Sequence, residues 1–133
     1  MWLIRLKGKS SAKDIYFETR IKRLKELLSW RKLLPIVRDS VREVLGNRPV
    51  YVFGSAVRGE LTVDSDIDIA IIVDKVPESA RERVRIIDEI WRRMEDRGVS
   101  FFYPFELHLM SESDKRMLEK GGAKFVRIEE LLL

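Results

Sequence analysis

Two aspartates separated by one residue, Asp66-Ile67-Asp68, open an apolar run from residue 67 to 73. Side chains alternate faces along a strand, so Asp66 and Asp68 would share one face. Ile67, Ile69, Ile71 and Val73 would share the other. Paired carboxylates repel each other and are costly near a core unless a cation sits between them. Hard oxygen ligands of this kind suit Mg²⁺ or Mn²⁺, held by one or two carboxylates plus substrate phosphates. With 22 acids in 133 residues, acid-x-acid pairs also arise by chance, and Glu60, Asp64, Asp66 and Asp68 equally fit a polar loop. A second feature lies ten residues upstream, where the apolar run 50–53 ends in Gly54-Ser55. A glycine directly after a buried strand lets backbone approach a ligand, and the N–H groups that follow can form an anion nest. A helical turn starting near Ser55 would add its dipole, and Ser55 a hydroxyl. A phosphate cradle and paired carboxylates on adjacent strands would converge on one metal-bound triphosphate.

These residues need elements to hold them. Residues 50–53 and 67–73 read as strands. A third strand is expected over 101–110, with an irregular start at Pro104. In it Glu106 alternates with Phe105, Leu107 and Leu109, and an acid in an apolar strand needs a partner or a role. His108 shares Glu106's face; a lone histidine is more often structural than catalytic. Phe17, Ile21, Leu24 and Leu28 recur at helical spacing and predict an amphipathic helix from about residue 15, its apolar stripe inward. Pro35 breaks that helix or starts the next. Leu34, Val37, Val41 and Leu45 form the next stripe, which Gly46-Asn47 stops. Residues 78–97 read as a long helix with Val84, Ile87, Trp91 and Met94 on its core face, Ile90 beside them, and Asp88–Arg92 and Glu89–Arg93 as favourable pairs. Ser111 caps a short helix with Asp114 three residues on, ended by Gly121-Gly122. A short strand is expected within 2–6, another over 123–128, and a helical turn at the C-terminal leucines. The result is an α/β (α+β) domain: a small mixed sheet with helices on one face and Asp66, Asp68 and Glu106 on the other.

Length predicts one domain with a modest core. The chain has no cysteine, hence no disulfide framework or thiolate metal site, and one histidine, hence no multi-histidine zinc site. No stretch approaches a membrane span, and the apolar run after Met1 is too short for a signal peptide, so a cytoplasmic protein is expected. Neither GxxxxGK[ST] nor GxGxxG occurs, which argues against Walker and Rossmann nucleotide sites. Charge is uneven: residues 1–49 carry net +8 and the remainder −4. The basic front half reads as a solvated helical face or as an attractor for nucleic acid or an acidic partner.

Gly54-Ser55, ten residues, then Asp66-x-Asp68, with Arg58-Gly59-Glu60 and Asp64-Ser65 between, resembles the signature of the DNA polymerase β-type nucleotidyltransferases. Within that superfamily the chain looks most like the minimal nucleotidyltransferases (MNT), often paired with HEPN toxins. The close resemblance spans 50–74, with a looser one over 35–110. The basic extension 1–34 and the tail 111–133 depart from the usual minimal form. The resemblance implies a polymerase β-like fold and transfer of AMP from ATP to a hydroxyl. Gly54 and Ser55 would hold the β/γ-phosphates, and Arg58 would pair with a phosphate or lie on the surface. Asp66 and Asp68 would bind one or two Mg²⁺, with Mn²⁺ an alternative. Glu106 stands where the superfamily often has a third carboxylate, commonly aspartate, as metal ligand or general base. The implied acceptor is a tyrosine of a small helical HEPN-type partner, making this chain an antitoxin. Two other readings stay open: an antitoxin or regulatory module acting by contact alone, and, less favoured, a nucleic-acid end transferase. The sequence leaves the oligomeric state open.

Overall fold

The apolar runs 50–53 and 67–72 pair with each other, as alternating strands with one buried face should. In the computed structural model, which describes residues 11–132, β1 is Val50–Phe53, β2 is Ile67–Ile72, β3 is Phe105–Met110 and β4 is Phe125–Arg127. They form one mixed sheet in the order β3-β2-β1-β4. The β1 strand is antiparallel to β2 and to β4, and β2 is parallel to β3. The expected strand within 2–6 lies outside the described residues.

Helices α1 (Ala12–Leu28), α2 (Leu34–Leu45), α3 (Ser55–Arg58), α4 (Ala80–Asp96) and α5 (Glu112–Lys120), with two short 3₁₀ turns, are the other elements among the described residues. Local chemistry accounts for their ends. Ser11, Ser79 and Ser111 each accept from the backbone N–H three residues on, at the starts of α1, α4 and α5. At α5 the Asp114 carboxylate accepts in return from the Ser111 N–H, closing a capping box. Pro35 sits in the first turn of α2, where its missing N–H costs nothing. Gly46 ends α2 at φ 79°. No helix among the described residues is long and apolar enough to cross a membrane.

One face of the sheet is the core. Val50 and Val52 of β1, Ile67, Ile69 and Ile71 of β2, and Phe105 of β3 pack against Leu34, Val37 and Val41 of α2 and Ile90 and Met94 of α4. Each large aliphatic chain buried there contributes about 1.5–3 kcal/mol. An ion pair of Arg93 with Glu43 (3.2 Å), joined by Arg97 with Glu43, ties α4 to α2. Arg93 and Glu89 pair as expected, but Arg92 also turns to Glu89 rather than Asp88.

Three expectations need correction. The α1 stripe does not face the core: Phe17 and Leu28 are more than 60% exposed, Ile21 is exposed, and Leu27 is the buried residue of the helix. Besides Leu27, the helix is held by polar ties, Arg23 Nε to the Val63 carbonyl (2.7 Å) and Tyr103 Oη to the Glu26 carbonyl (2.6 Å). Val84 of α4 is likewise exposed. The third strand starts at Phe105, because Phe101 and Phe102 lie in an exposed turn before Pro104.

Candidate active site

The second face of the sheet carries the polar residues. Phe53 of β1 stands opposite Asp68 of β2, and Asp68 stands opposite Glu106 of β3. Two positions further along, His108 is opposite Ala70. Alternation therefore sets Asp68, Ala70, Glu106 and His108 on one side. The His108 Nε2 lies 3.1 Å from Asp68 Oδ1 and 3.6 Å from Glu106 Oε1. Ligand atoms of these three residues all lie within 4.8 Å of one another. The Asp68 side chain is about a quarter exposed, while Glu106 is more open to solvent. Two carboxylates and an imidazole converging on one point form a donor set that fits a divalent cation.

Gly54 completes the wall. Its backbone (φ 80°, ψ −151°) turns the chain from β1 into α3. A Cβ built there would meet Asp68 Oδ2 at 2.6 Å. The glycine is thus required twice, by its φ and by the carboxylate against it. Ser55 opens α3. The Val57 and Arg58 N–H groups both turn back to the Gly54 carbonyl, and the first N–H groups of a helix have no intrahelical partner.

The predicted site residues are not all gathered. Gly54, Asp68 and Glu106 come together. Asp66 does not lie on the strand: β2 begins at Ile67, whose N–H bonds the Pro104 carbonyl at 2.7 Å. Asp66 is exposed just before it and is outside the Asp68–Glu106–His108 group. Arg58 lies on the surface, about half exposed, with Nε on Glu60 at 2.7 Å. The partner that Glu106 finds is His108, with Oε1 3.6 Å from Nε2. His108, read from the sequence as a lone histidine on Glu106's face, stands beside both carboxylates because β3 pairs in parallel with β2.

Beside the acids the same face is apolar and aromatic. Ala70, Ile72 and Met110 are buried with Tyr51, Phe53 and Phe125 around them. Phe53 stacks on Phe125 (centroids 4.7 Å) and leans on His108 (5.3 Å). Lys115 of α5, nearly buried, sits with Nζ 4.6 Å from the centre of the Tyr51 ring and 3.2 Å from Glu119. This cation–π contact anchors α5 over the edge of the face.

Comparison with known proteins bears on the family of the chain. The chain is 42% identical over 45 residues to the protein adenylyltransferase MntA of Thermococcus cleftensis, a stretch that is 34% of this chain and 46% of that relative. The chain thus matches about half the length of that protein. The model of the nucleotidyltransferase domain family matches residues 31–120, about two thirds of the chain, and takes in α2, β1, α3, β2, α4, β3 and α5. By that match, and in keeping with the minimal nucleotidyltransferase resemblance of its motif, the chain belongs to the nucleotidyltransferase domain family.

Proposed function

We propose that this nucleotidyltransferase is metal-dependent and transfers AMP from ATP to a hydroxyl of a partner protein, acting as an MNT-type antitoxin on a tyrosine of a helical HEPN-type toxin. The observation that carries the reading is the meeting of Asp68 and Glu106 across β2 and β3, with the Gly54 backbone against the Asp68 carboxylate. That arrangement puts a turn suited to phosphate beside a donor set suited to a cation. The name of the T. cleftensis relative, a protein adenylyltransferase, supports AMP as the group moved and a protein as acceptor.

In this reading Gly54 and Ser55 receive the β/γ-phosphates through backbone N–H groups and the Ser55 hydroxyl. Arg58 is free to leave Glu60 for a phosphate, since an exposed pair of this kind is worth at most about 1 kcal/mol. Asp68 and Glu106 are the carboxylates that would hold the cation from the sheet, and Asp66, exposed one residue before β2, would turn to it as the second carboxylate of the motif. A bound dication supplies charge neutralisation of the triphosphate and a lowered pKa for the acceptor hydroxyl. The hydroxyl oxygen bonds to the α-phosphorus, the bond to the bridging oxygen breaks, and pyrophosphate leaves with the electron pair. The hydroxyl proton passes to water at the exposed edge of β3.

The test is incubation with labelled ATP and Mg²⁺ or Mn²⁺, with and without a candidate helical partner. Partner-dependent incorporation of AMP is expected, with Asp66→Asn and Asp68→Asn each lowering it more than about 10²-fold while the fold survives. Near wild-type incorporation by either variant overturns the mechanism. The exposed Phe17, Ile21 and Leu28 of α1 favour one second reading, neutralisation of the partner by contact alone. It predicts that Asp68→Asn still neutralises the partner fully.

A further inference from the structure

We propose that the cation site of this chain is a mixed nitrogen–oxygen site in which His108 is a direct ligand through Nε2, beside Asp68 and Glu106, and that it takes a transition-metal dication of the Mn²⁺ class in preference to Mg²⁺. The inference rests on the reading of Asp68 as a metal ligand given above and names the ion and the third donor.

Spacing is the first argument. Ligands about 2.1 Å from an ion and at right angles to each other lie about 3.0 Å apart. The His108 Nε2 is 3.1 Å from Asp68 Oδ1 and 3.6 Å from Glu106 Oε1. The imidazole nitrogen is therefore at adjacent-ligand distance from Asp68 and about 0.6 Å beyond it from Glu106, a gap that a side-chain adjustment closes around a shared ion. A hydrogen bond from Nε2–H serves Asp68 Oδ1 alone and leaves Glu106 Oε1, at 3.6 Å, beyond hydrogen-bond reach beside it. A dication between them satisfies both and offsets the repulsion of Asp68 and Glu106, which face each other in the ladder.

Placement is the second. His108 stands opposite Ala70, whose methyl group leaves room for the ring over β2. The Phe53 ring packs against the imidazole at 5.3 Å, tilted by 59°. The ring is thus backed by apolar groups, and its Nε2 edge turns to the carboxylates. Such support lowers the cost of ordering a ligand. The donor chemistry then sets the ion. Mg²⁺ favours oxygen ligands and keeps several waters, whereas imidazole nitrogen raises the relative affinity for first-row transition metals.

The experiment uses Mn²⁺ and the nucleotide-free chain. His108 is the only histidine among 133 residues, so in tag-free protein an imidazole coupling to Mn²⁺ identifies it without further assignment. Pulsed electron paramagnetic resonance is expected to show ¹⁴N modulation from one imidazole, replaced by the ¹⁵N pattern when histidine alone is labelled. His108→Gln is expected to abolish the modulation and weaken Mn²⁺ at least about tenfold while changing Mg²⁺ affinity much less. Asp68→Asn is expected to lose Mn²⁺ binding as well. Bound Mn²⁺ with no nitrogen coupling in the wild type overturns the proposal, as does wild-type Mn²⁺ affinity in His108→Gln or Asp68→Asn. The isotope-labelled wild type decides the matter even if a variant fails to fold. Failure here separates from failure of the parent reading. Mn²⁺ bound without nitrogen coupling, alongside AMP transfer, refutes only the ligand assignment; nitrogen coupling without transfer refutes only the proposed reaction.

Discussion

Replacing Gly54 with alanine tests the junction between backbone and carboxylate. The added Cβ would lie 2.6 Å from Asp68 Oδ2 and 3.5 Å from Asp68 Cγ. An ordinary contact of about 3.4 Å requires the carboxylate to retreat by about 0.8 Å. The backbone, at φ 80° and ψ −151°, lies in a region open almost only to glycine, so the alanine also carries strain of about 1–3 kcal/mol. Gly59 supplies the control. It has φ 69° and ψ 27°, the ordinary left-handed region, and an added Cβ there meets nothing within 4 Å. Gly59→Ala should lose about 1 kcal/mol from backbone strain alone. Gly54→Ala should lose about 3 kcal/mol, of which about 1 kcal/mol is displacement of Asp68 and disappears in an Asp68→Ala background. The assay is urea unfolding of the single and double variants, comparing midpoints at constant slope. On the proposed function, a carboxylate moved by nearly 1 Å should also lower AMP transfer about 10²-fold in Gly54→Ala, with little change in Gly59→Ala. Equal losses for the two glycines, with no coupling between positions 54 and 68, would refute the claim that Gly54 is there to let Asp68 approach.

Three further predictions concern the scaffold. Leu27→Ala, which empties a site 1% exposed, should cost about 2–4 kcal/mol in chemical unfolding, whereas Phe17→Ala on the outer stripe of α1 should stay within about 0.5 kcal/mol; the reverse order would mean that the stripe is packed after all. Ser111→Ala should cost about 1 kcal/mol by removing the cap of α5. The Ser111 N–H and hydroxyl hold the Asp114 carboxyl below its ordinary value of 3.8. The Asp114 contribution is therefore present above about pH 4 and fades as pH falls through the lower folded value; Asp114→Asn should flatten stability against pH in that acid window, and an unchanged profile would contradict the capping role.

Features written in neighbouring residues could be read from the chain. The Ser111–Asp114 capping box, the place of Pro35 in the first turn of α2 and the stop at Gly46 each need a span of only a few residues, and each is found where its chemistry puts it. The face of each strand was legible for the same reason, since alternation is local. What a face meets was not. The spacing of Phe17, Ile21, Leu24 and Leu28 predicts an amphipathic helix but not its rotation, and the body of the protein receives Leu27 instead. The outlier Asp66 has a similar cause. The run of isoleucines suggests a strand from Asp66 onward, but the ladder starts where the Ile67 N–H finds the Pro104 carbonyl, a partner 37 residues away.

Register decides the site in the same way. Asp68 meets Glu106, and His108 follows them onto that face, because β3 lies parallel to β2 with Ile67 opposite Phe105. A slip of β3 by one residue would turn Leu107 and Leu109 toward the carboxylate and send Glu106 and His108 toward the core. The buried side holds the register: Phe105 packs with Ile67 and Ile69 in the core, with Leu107 and Leu109 packed against them, and exchanging these for Glu106 and His108 would bury two polar groups among them. The apolar alternation of β3 thus does two things. It anchors a strand that has one sheet neighbour among the described residues, and by that anchoring it fixes which polar atoms reach Asp68. The donor set is a property of the pairing rather than of any one segment, which is why Glu106 and His108 could be nominated from the chain but not joined to Asp68 without the fold.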